Sequence, residues 1–193
     1  FDISQKKNFN KINIINLHTL IHLAAQVGVR GSDKLKLKYI KSNIIGLENL
    51  LDFSKSYNVK KIIYASSSSV YGNNKKIPTK EIDYTYKPIS FYGLTKSINE
   101  LQAENFFINN NVTTYGLRFF TVYGDFPRPD MAIYKLFFSA YKDKKFPLFN
   151  YGKNKRDFTH VDNIISIISR LMNLNEKKNV HKIFNIGSTS NII

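Results

Sequence analysis

The 193-residue sequence contains no cysteine. A disulfide framework and thiol chemistry are therefore excluded, and the composition suits a reducing cytoplasm. No apolar run approaches the ~20 residues that a membrane-spanning helix needs, and no secretory signal is visible. Histidine, aspartate and glutamate nowhere cluster at metal-ligand spacing, so no metal is expected. His22 and His160 read as structural residues. No internal repeat is apparent. Acidic residues are scarce, 14 against 29 basic ones, which leaves a formal net charge of +15. That charge has two readings: a nucleic-acid binder, or a lysine-rich solvated surface on an enzyme whose substrate is anionic. An arginine-rich stripe, zinc-finger spacing and the aromatic motif of RNA-recognition domains are all missing. The lysines are scattered, which favours the second reading, and a basic field also steers a diphosphate ligand.

What is present has a globular balance, with 42% hydrophobic and 22% charged residues, enough for one substantial domain or one domain and part of another. Residues 1–3 read as the end of a strand. Phe9, Ile12 and Ile15 suit a short helix. Residues 19–25 read as a buried parallel strand that ends in small residues. Ala24 and Ala25 there fit either close ligand approach or plain core packing. Ile40, Ile44, Leu47, Leu50 and Leu51 recur at helical spacing and predict a helix over 35–57. Ser42 and Asn43 lie beside that stripe, either at the surface or within reach of a cofactor.

A second buried strand, 59–65, runs into Ser66, Ser67, Ser68 and Ser69. Bounded by apolar residues, these are no flexible linker; they sit at the carboxyl end of a strand, where open α/β sheets bind ligands. The loop 73–90 is long for a compact domain, which itself points to function. The remaining pattern predicts a helix over 91–109 with Ile98, Leu101 and Phe106 as core positions. Then come a strand over 113–120, a loop over 121–129, a helix over 131–141, a short strand over 146–151, a helix over 161–174 and a strand over 182–186. Such alternation means right-handed βαβ units, hence an α/β fold with a parallel sheet.

Tyr92 and Lys96 are four apart on the helix 91–109, which places both side chains on one face, one turn apart. An ammonium beside a phenol favours the phenolate. A tyrosine whose reference pKa is about 10 can then serve as a base nearer neutrality. A hydroxyl donor such as Ser67 can hold the substrate oxygen whose proton the tyrosine takes. Alone, Tyr-x-x-x-Lys is a weak signal; the serine run upstream strengthens it.

Several blocks stand together in order: HLAAQVGVR (22–30), ASSSSVYG (65–72), LRFFTVYG (117–124), RPDMA (128–132), YGK (151–153) and KRDF (155–158). With the Tyr92–Lys96 pair, they resemble the extended short-chain dehydrogenase/reductase family of NAD-dependent epimerases and dehydratases, and most of all its UDP-glucuronate 4-epimerase branch. The resemblance implies a Rossmann-type doubly wound parallel sheet holding NAD, with a UDP-sugar bound below a smaller lobe. The implied division is 1–125 and 126–193, interleaved. It also implies a homodimer in the full-length enzyme and a role in polysaccharide biosynthesis. By position, Asp2 and Ile3 match adenine contacts. Leu23, Ala24 and Ala25 match the backbone along the diphosphate and ribose, Ser42 a polar cofactor contact, and Phe120 and Val122 neighbours of the nicotinamide. Ser67, Tyr92 and Lys96 match the catalytic residues, with Lys96 also on the nicotinamide ribose. Thr121 and Arg156 match groups toward the substrate diphosphate. Arg128 suits a C6 carboxylate, or else is a surface or interface arginine, and Ser68 and Ser69 lie beside that carboxylate.

The family's Gly-rich phosphate loop does not occur in the sequence. The chain begins at Phe1 and stops just after a strand, so the expectation is a fragment of a longer protein that binds NAD poorly by itself. In the family, 4,6-dehydratases carry an Asp-Glu pair after the catalytic Thr, and UDP-glucuronate decarboxylases a Glu at the place of Ser69. Here Ser68 and Ser69 stand there, and serine does no general acid–base work at pH 7. The resemblance therefore implies C4 epimerisation through a 4-keto sugar. The alternatives are another reaction of the same family, or a catalytically inactive nucleotide- or RNA-binding relative.

Overall fold

The alternation of strands and helices expected from the sequence is present in the structure, a computed structural model that describes residues 1–29, 31–74, 78–83, 87–147, 149–153 and 156–188. Arg30 and Lys155 of the sequence blocks, and Leu148 of the expected strand 146–151, lie outside the described residues. The strands are β1 (Thr19–His22), β2 (Lys61–Ser67), β3 (Thr113–Phe119), β4 (Thr121–Tyr123), β5 (Phe158–His160) and β6 (His181–Ile186). The helices are α1 (Lys36–Tyr39), α2 (Gly46–Ser56), α3 (Phe91–Asn110), α4 (Ala132–Tyr141) and α5 (Val161–Asn173). A π-helical stretch, Ile40–Ile45, joins α1 to α2.

The described chain falls into two units. The first holds Phe1–Phe119 and Arg170–Asn185; the second holds Phe120–Ser169 and the residues from Ile186. In the first unit the sheet order is β1-β2-β3-β6. β1 pairs with β2 and β2 with β3, both parallel. All seven residues of β2 are buried, as a strand with parallel neighbours on both sides should be. Leu20 and Ile62 of the sheet pack with Leu47, Leu50, Leu51 and Phe53 of α2 and with Phe106 of α3 in one core cluster. At the start of β2, the buried Lys61 ammonium donates to the carbonyls of Leu171, Met172 and Leu174, at 2.9, 2.8 and 2.7 Å. These are the orphan carbonyls at the end of α5, where a positive charge also complements the helix dipole. Burial lowers the pKa of this lysine.

In the second unit β4 pairs in parallel with β5, Thr121 opposite Phe158 and Tyr123 opposite His160. The loop expected over 121–129 thus holds a strand in its first three residues, too short to leave a periodicity in the sequence. Other expectations need correction. Residues 1–3 form no strand: Asp2 opens a turn, its carboxylate accepting from the Ser4 amide at 2.9 Å. The short helix is a 3-10 turn, Lys6–Lys11, with Phe9 buried but Ile15 exposed. The strand at 19–25 stops at His22, and Ile21 is exposed because β1 is an edge of the described sheet. The strand expected over 146–151 is overlapped by a 3-10 turn, Phe149–Gly152.

The helix over 35–57 is there, but its buried face is rotated. The wide π turn inserts extra backbone, so Tyr39, Asn43 and Leu47 point inward, while Ile40 and Ile44 are only half-buried. In α3, Leu101 was expected in the core and is 56% exposed. Among the described residues, no helix is long and apolar enough to cross a membrane.

Candidate active site

The first unit gathers the expected chemistry at the carboxyl ends of β1 and β2 and the first turns of α3. Ser90 caps α3, its hydroxyl accepting from the Gly93 amide at 3.0 Å, which satisfies one of the orphan donors of the first turn. Tyr92 follows, half-buried, its ring edge-on to Tyr39 at 6.3 Å between centroids. Lys96, one turn on, is buried and donates to the Ala65 carbonyl at 2.8 Å. Burial brings the pKa of this lysine down to about 8. An ammonium has three donors, so donors remain on Lys96 for a ligand.

Ser67 ends β2 and caps the 3-10 turn Ser68–Tyr71. Its Oγ accepts from the Ser69 amide at 3.1 Å, which orients the hydroxyl and leaves its proton to be given away. The serine turn and α3 are in close contact at Gly93. A Cβ built there would stand 2.6 Å from the Ser69 carbonyl oxygen, and that neighbour is backbone that cannot swing aside. The segments that carry Tyr92, Lys96 and Ser67 are thus brought together: Gly93 abuts the turn that Ser67 opens, and Lys96 bonds the carbonyl two residues before Ser67. Ser68 and Ser69 are half-buried on that turn.

Beyond β1, Leu23 and Ala24 are exposed and Ala25 is half-buried. None of the three is packed into the core. Ser42 is half-buried, and its Oγ accepts from the Gln26 amide at 3.1 Å. The more firmly fixed polar residue is its neighbour Asn43, 1% exposed. Asn43 accepts from the Gln26 amide at 2.7 Å and donates to the Gln26 carbonyl and the Thr95 hydroxyl, both at 3.0 Å. Asn99 donates to the Asn43 carbonyl at 2.8 Å. Asn43 therefore ties the π stretch, the segment after β1 and the turn of α3 that carries Lys96. Asn43 was expected at the surface or within reach of a cofactor, and its place beside the apolar stripe carried no sign of this structural role. Asp2 holds a local turn, and Ile3 packs against Gly46 and accepts from Asn49 at 2.9 Å.

Within the second unit, Phe120, Thr121 and Val122 are half-buried at β4, and the Thr121 amide donates to the Asp157 carbonyl at 3.1 Å. The Asp157 side chain also accepts from the Ser188 amide at 2.8 Å. Arg156 is exposed. Arg128 is already engaged: its Nε and Nη2 donate to the two oxygens of Asp130, at 2.9 and 2.5 Å. This guanidinium holds the Asp130 carboxyl below the usual carboxylate range. Both side chains are largely exposed, 43% and 60%, where such a pair contributes little stability. Among the described residues no group of histidine, aspartate and glutamate could hold a metal ion.

The model of the NAD dependent epimerase/dehydratase family matches residues 1–187. The chain belongs to that family. It is 43% identical over 170 residues to an uncharacterised protein of Methanocaldococcus jannaschii, covering 88% of this chain and 51% of that protein. It is 38% identical over 204 residues to UDP-glucuronate 4-epimerase 4 of Arabidopsis thaliana, covering 98% of this chain and 47% of that one. The crystal structure of UDP-glucuronic acid 4-epimerase from Bacillus cereus with UDP-glucuronic acid and NAD superposes with a TM-score of 0.84 at 34% identity. That match covers 98% of this chain and 58% of the solved one. The chain spans about half the length of the curated relatives it matches. The α/β fold with parallel strands is that of the epimerase/dehydratases, as expected. In this family the cofactor is NAD, and the donor set at the end of β1 and on α3 fits it: small side chains at Ala24 and Ala25, and the buried Lys96 ammonium one turn from a phenol.

Proposed function

We propose that the protein is an NAD-dependent UDP-sugar 4-epimerase that interconverts UDP-glucuronate and UDP-galacturonate in the cytoplasm. One observation carries the reading: Tyr92 and Lys96 share a face of α3, whose Gly93 lies against the turn opened by Ser67. When bound, NAD supplies the hydride acceptor for C4. Ser67 donates a hydrogen bond to the sugar 4-oxygen and fixes its direction, keeping its own proton. Tyr92 removes the 4-hydroxyl proton, and Lys96 stabilises the phenolate and reaches the nicotinamide ribose. The sugar becomes a 4-keto species, turns over, and is reduced on its other face, with Tyr92 returning the proton. No further acid or base is needed, which agrees with serine rather than a carboxylate at 68 and 69.

Along the cofactor we place Asp2 and Ile3 at the adenine, Leu23, Ala24, Ala25 and Ser42 along the diphosphate and ribose, and Phe120 and Val122 by the nicotinamide. Thr121 and Arg156 bind the substrate diphosphate. Arg128 takes the C6 carboxylate. Asp130 now occupies the Arg128 fork as a carboxylate would; in solution the substrate exchanges with it, which an exposed pair permits. A second copy of the chain packs on α3, where Leu94, Leu101 and Ile108 are 40%, 56% and 68% exposed at seven-residue spacing.

The test is to purify the protein with any further chain its gene encodes, give it UDP-glucuronate and NAD, and follow the sugar by NMR. UDP-galacturonate is expected. A 4-keto-6-deoxy sugar or a pentose as the main product would overturn the epimerase reading. Arg128→Ala should cost far more affinity for UDP-glucuronate than for UDP-glucose; equal losses would remove the carboxylate role.

A further inference from the structure

The first unit contains a buried ion pair that the chemistry above does not use. Arg118 of β3 and Glu100 of α3 meet in a two-point contact, Nε to Oε1 at 2.9 Å and Nη2 to Oε2 at 2.8 Å. Their side chains are 2% and 4% exposed. Taken alone, burial would lower the arginine's pKa; the Glu100 side chain raises it above its usual value, so the guanidinium stays charged. A pair this deep is weak evidence for stability, because desolvating two charges offsets most of their attraction, and packed apolar residues often do as well. What the pair touches is more informative. Glu100 lies one turn beyond Lys96, and its Oε1 accepts from the Ser66 hydroxyl at 2.5 Å. Ser66 precedes Ser67. On the other side Arg118 Nη1 donates to the Tyr71 hydroxyl at 2.8 Å, and its guanidinium carbon lies 4.7 Å from the centre of the Tyr71 ring. Tyr71 closes the turn that Ser67 opens. Nη1 also donates to the Glu81 carbonyl at 3.0 Å, in the loop between that turn and α3.

We propose that Glu100 and Arg118 are positioning residues that grip the serine turn at both ends, through Ser66 and Tyr71, and so set the Ser67 hydroxyl against the Tyr92–Lys96 face of α3. The grip is made from the helix that carries the base, so the serine turn and that helix are fixed to a common point. A misplacement of about 1 Å is costly for a reaction that depends on alignment. A charged pair with bidentate geometry accepts a narrower range of positions than an apolar contact. The activity part of this inference rests on the epimerase reading; the positional part does not.

Ser66→Ala cuts the grip on β2 and leaves the ion pair and its charge in place. With the NAD-loaded protein we expect kcat to fall about ten- to a hundredfold, with KM for the UDP-sugar and NAD content little changed. The decisive comparison is the same substitution in a Ser67→Ala background. A residue that acts through Ser67 has nothing to act on there, so the fall should shrink to about twofold or less. An equal fall in both backgrounds, or none in either, overturns the proposal. Hydrogen exchange gives a readout independent of turnover. In Ser66→Ala the amides of 67–71 should exchange at least about tenfold faster while those of α2 keep their protection. Unchanged protection at 67–71 overturns the proposal as well. A wild-type protein that turns over no UDP-sugar strikes the functional reading alone, and the exchange result then decides the clamp.

Discussion

α2 and α3 are both long helices of the first unit, and they bury opposite kinds of surface. α2 turns inward Leu47, Leu50, Leu51 and Phe53. α3 turns inward Thr95, Lys96, Ser97, Asn99 and Glu100 and leaves Leu94, Leu101 and Ile108 outside. The first is how a helix stabilises a fold: apolar area leaves water at about 25 cal/mol per Å². The second is how a helix holds chemistry, since every buried polar group must find a partner or forfeit its hydration. Those partners exist: Lys96 has the Ala65 carbonyl, Asn99 the Asn43 carbonyl, and Glu100 has Arg118 and Ser66. Stability and activity should therefore separate between the two helices.

The largest effect expected is on α3. Tyr92→Phe removes the base and keeps the ring; kcat should fall about a thousandfold, equivalent to about 4 kcal/mol of transition-state stabilisation. Its unfolding midpoint in urea should stay close to that of the wild type. A phenylalanine variant that still turns over within tenfold would end the assignment of roles. The mirror experiment is Leu47→Ala on α2. Leu47 is fully buried, and such a truncation costs about 3–4 kcal/mol. The midpoint should drop accordingly, while kcat per folded molecule stays near wild type. If kcat collapses in step with stability, the division of labour between the helices is wrong.

His22 is where the two kinds of surface meet. It shares a face of β1 with Leu20, whose side chain joins the apolar core. Yet it is a buried imidazole whose Nε2 has no hydrogen-bond partner among the described residues. Burial, and then the nearby Lys96 charge, bring its pKa from 6.5 to about 4. The folded state thus binds fewer protons than the unfolded one between these values. The stability that the neutral ring contributes is complete above about pH 6.5 and is lost as pH falls through about 4. The linked free energy is about 3 kcal/mol. His22→Gln removes the titration, so its urea stability should fall less steeply than wild type between pH 6.5 and 4. Parallel curves would mean that this histidine does not titrate in the window.

The same contrast accounts for what the sequence disclosed. Tyr92 and Lys96 are legible because four residues on a helix fix a common face, and Ser67 because it follows an unbroken apolar strand. Neither inference needs a distant partner. Asn43 was not legible, since a π turn leaves no mark in composition yet shifts the phase of everything around it. Glu100 and Arg118 are 18 residues apart on different elements, and nothing local says that one will neutralise the other. Leu101 was misread for the same reason: apolar periodicity tells which face of a helix is hydrophobic, not which face is buried. On α2 the two coincide; on α3 the buried face is polar at Thr95, Lys96, Ser97, Asn99 and Glu100 and turns apolar only at Ala103 and Phe106.

That last point yields the smallest expected effect on the isolated chain. At 56% exposure Leu101 adds little to the monomer's core, so Leu101→Gln should alter the stability of the monomer by no more than about 0.5 kcal/mol. Its stripe with Leu94 and Ile108 is nevertheless apolar at a spacing of two helical turns, and the proposed second copy would bury it. A shallow groove of ≈ 390 Å³ between α2 and α3, lined in part by Leu51, Ile98, Leu101 and Phe106, lies on the same side. Sedimentation should show the wild type as a dimer and Leu101→Gln shifted toward monomer, with tenfold more protein needed for every 1.4 kcal/mol of association lost. A variant that dimerises as the wild type does would leave the outer face of α3 without a partner of its own kind.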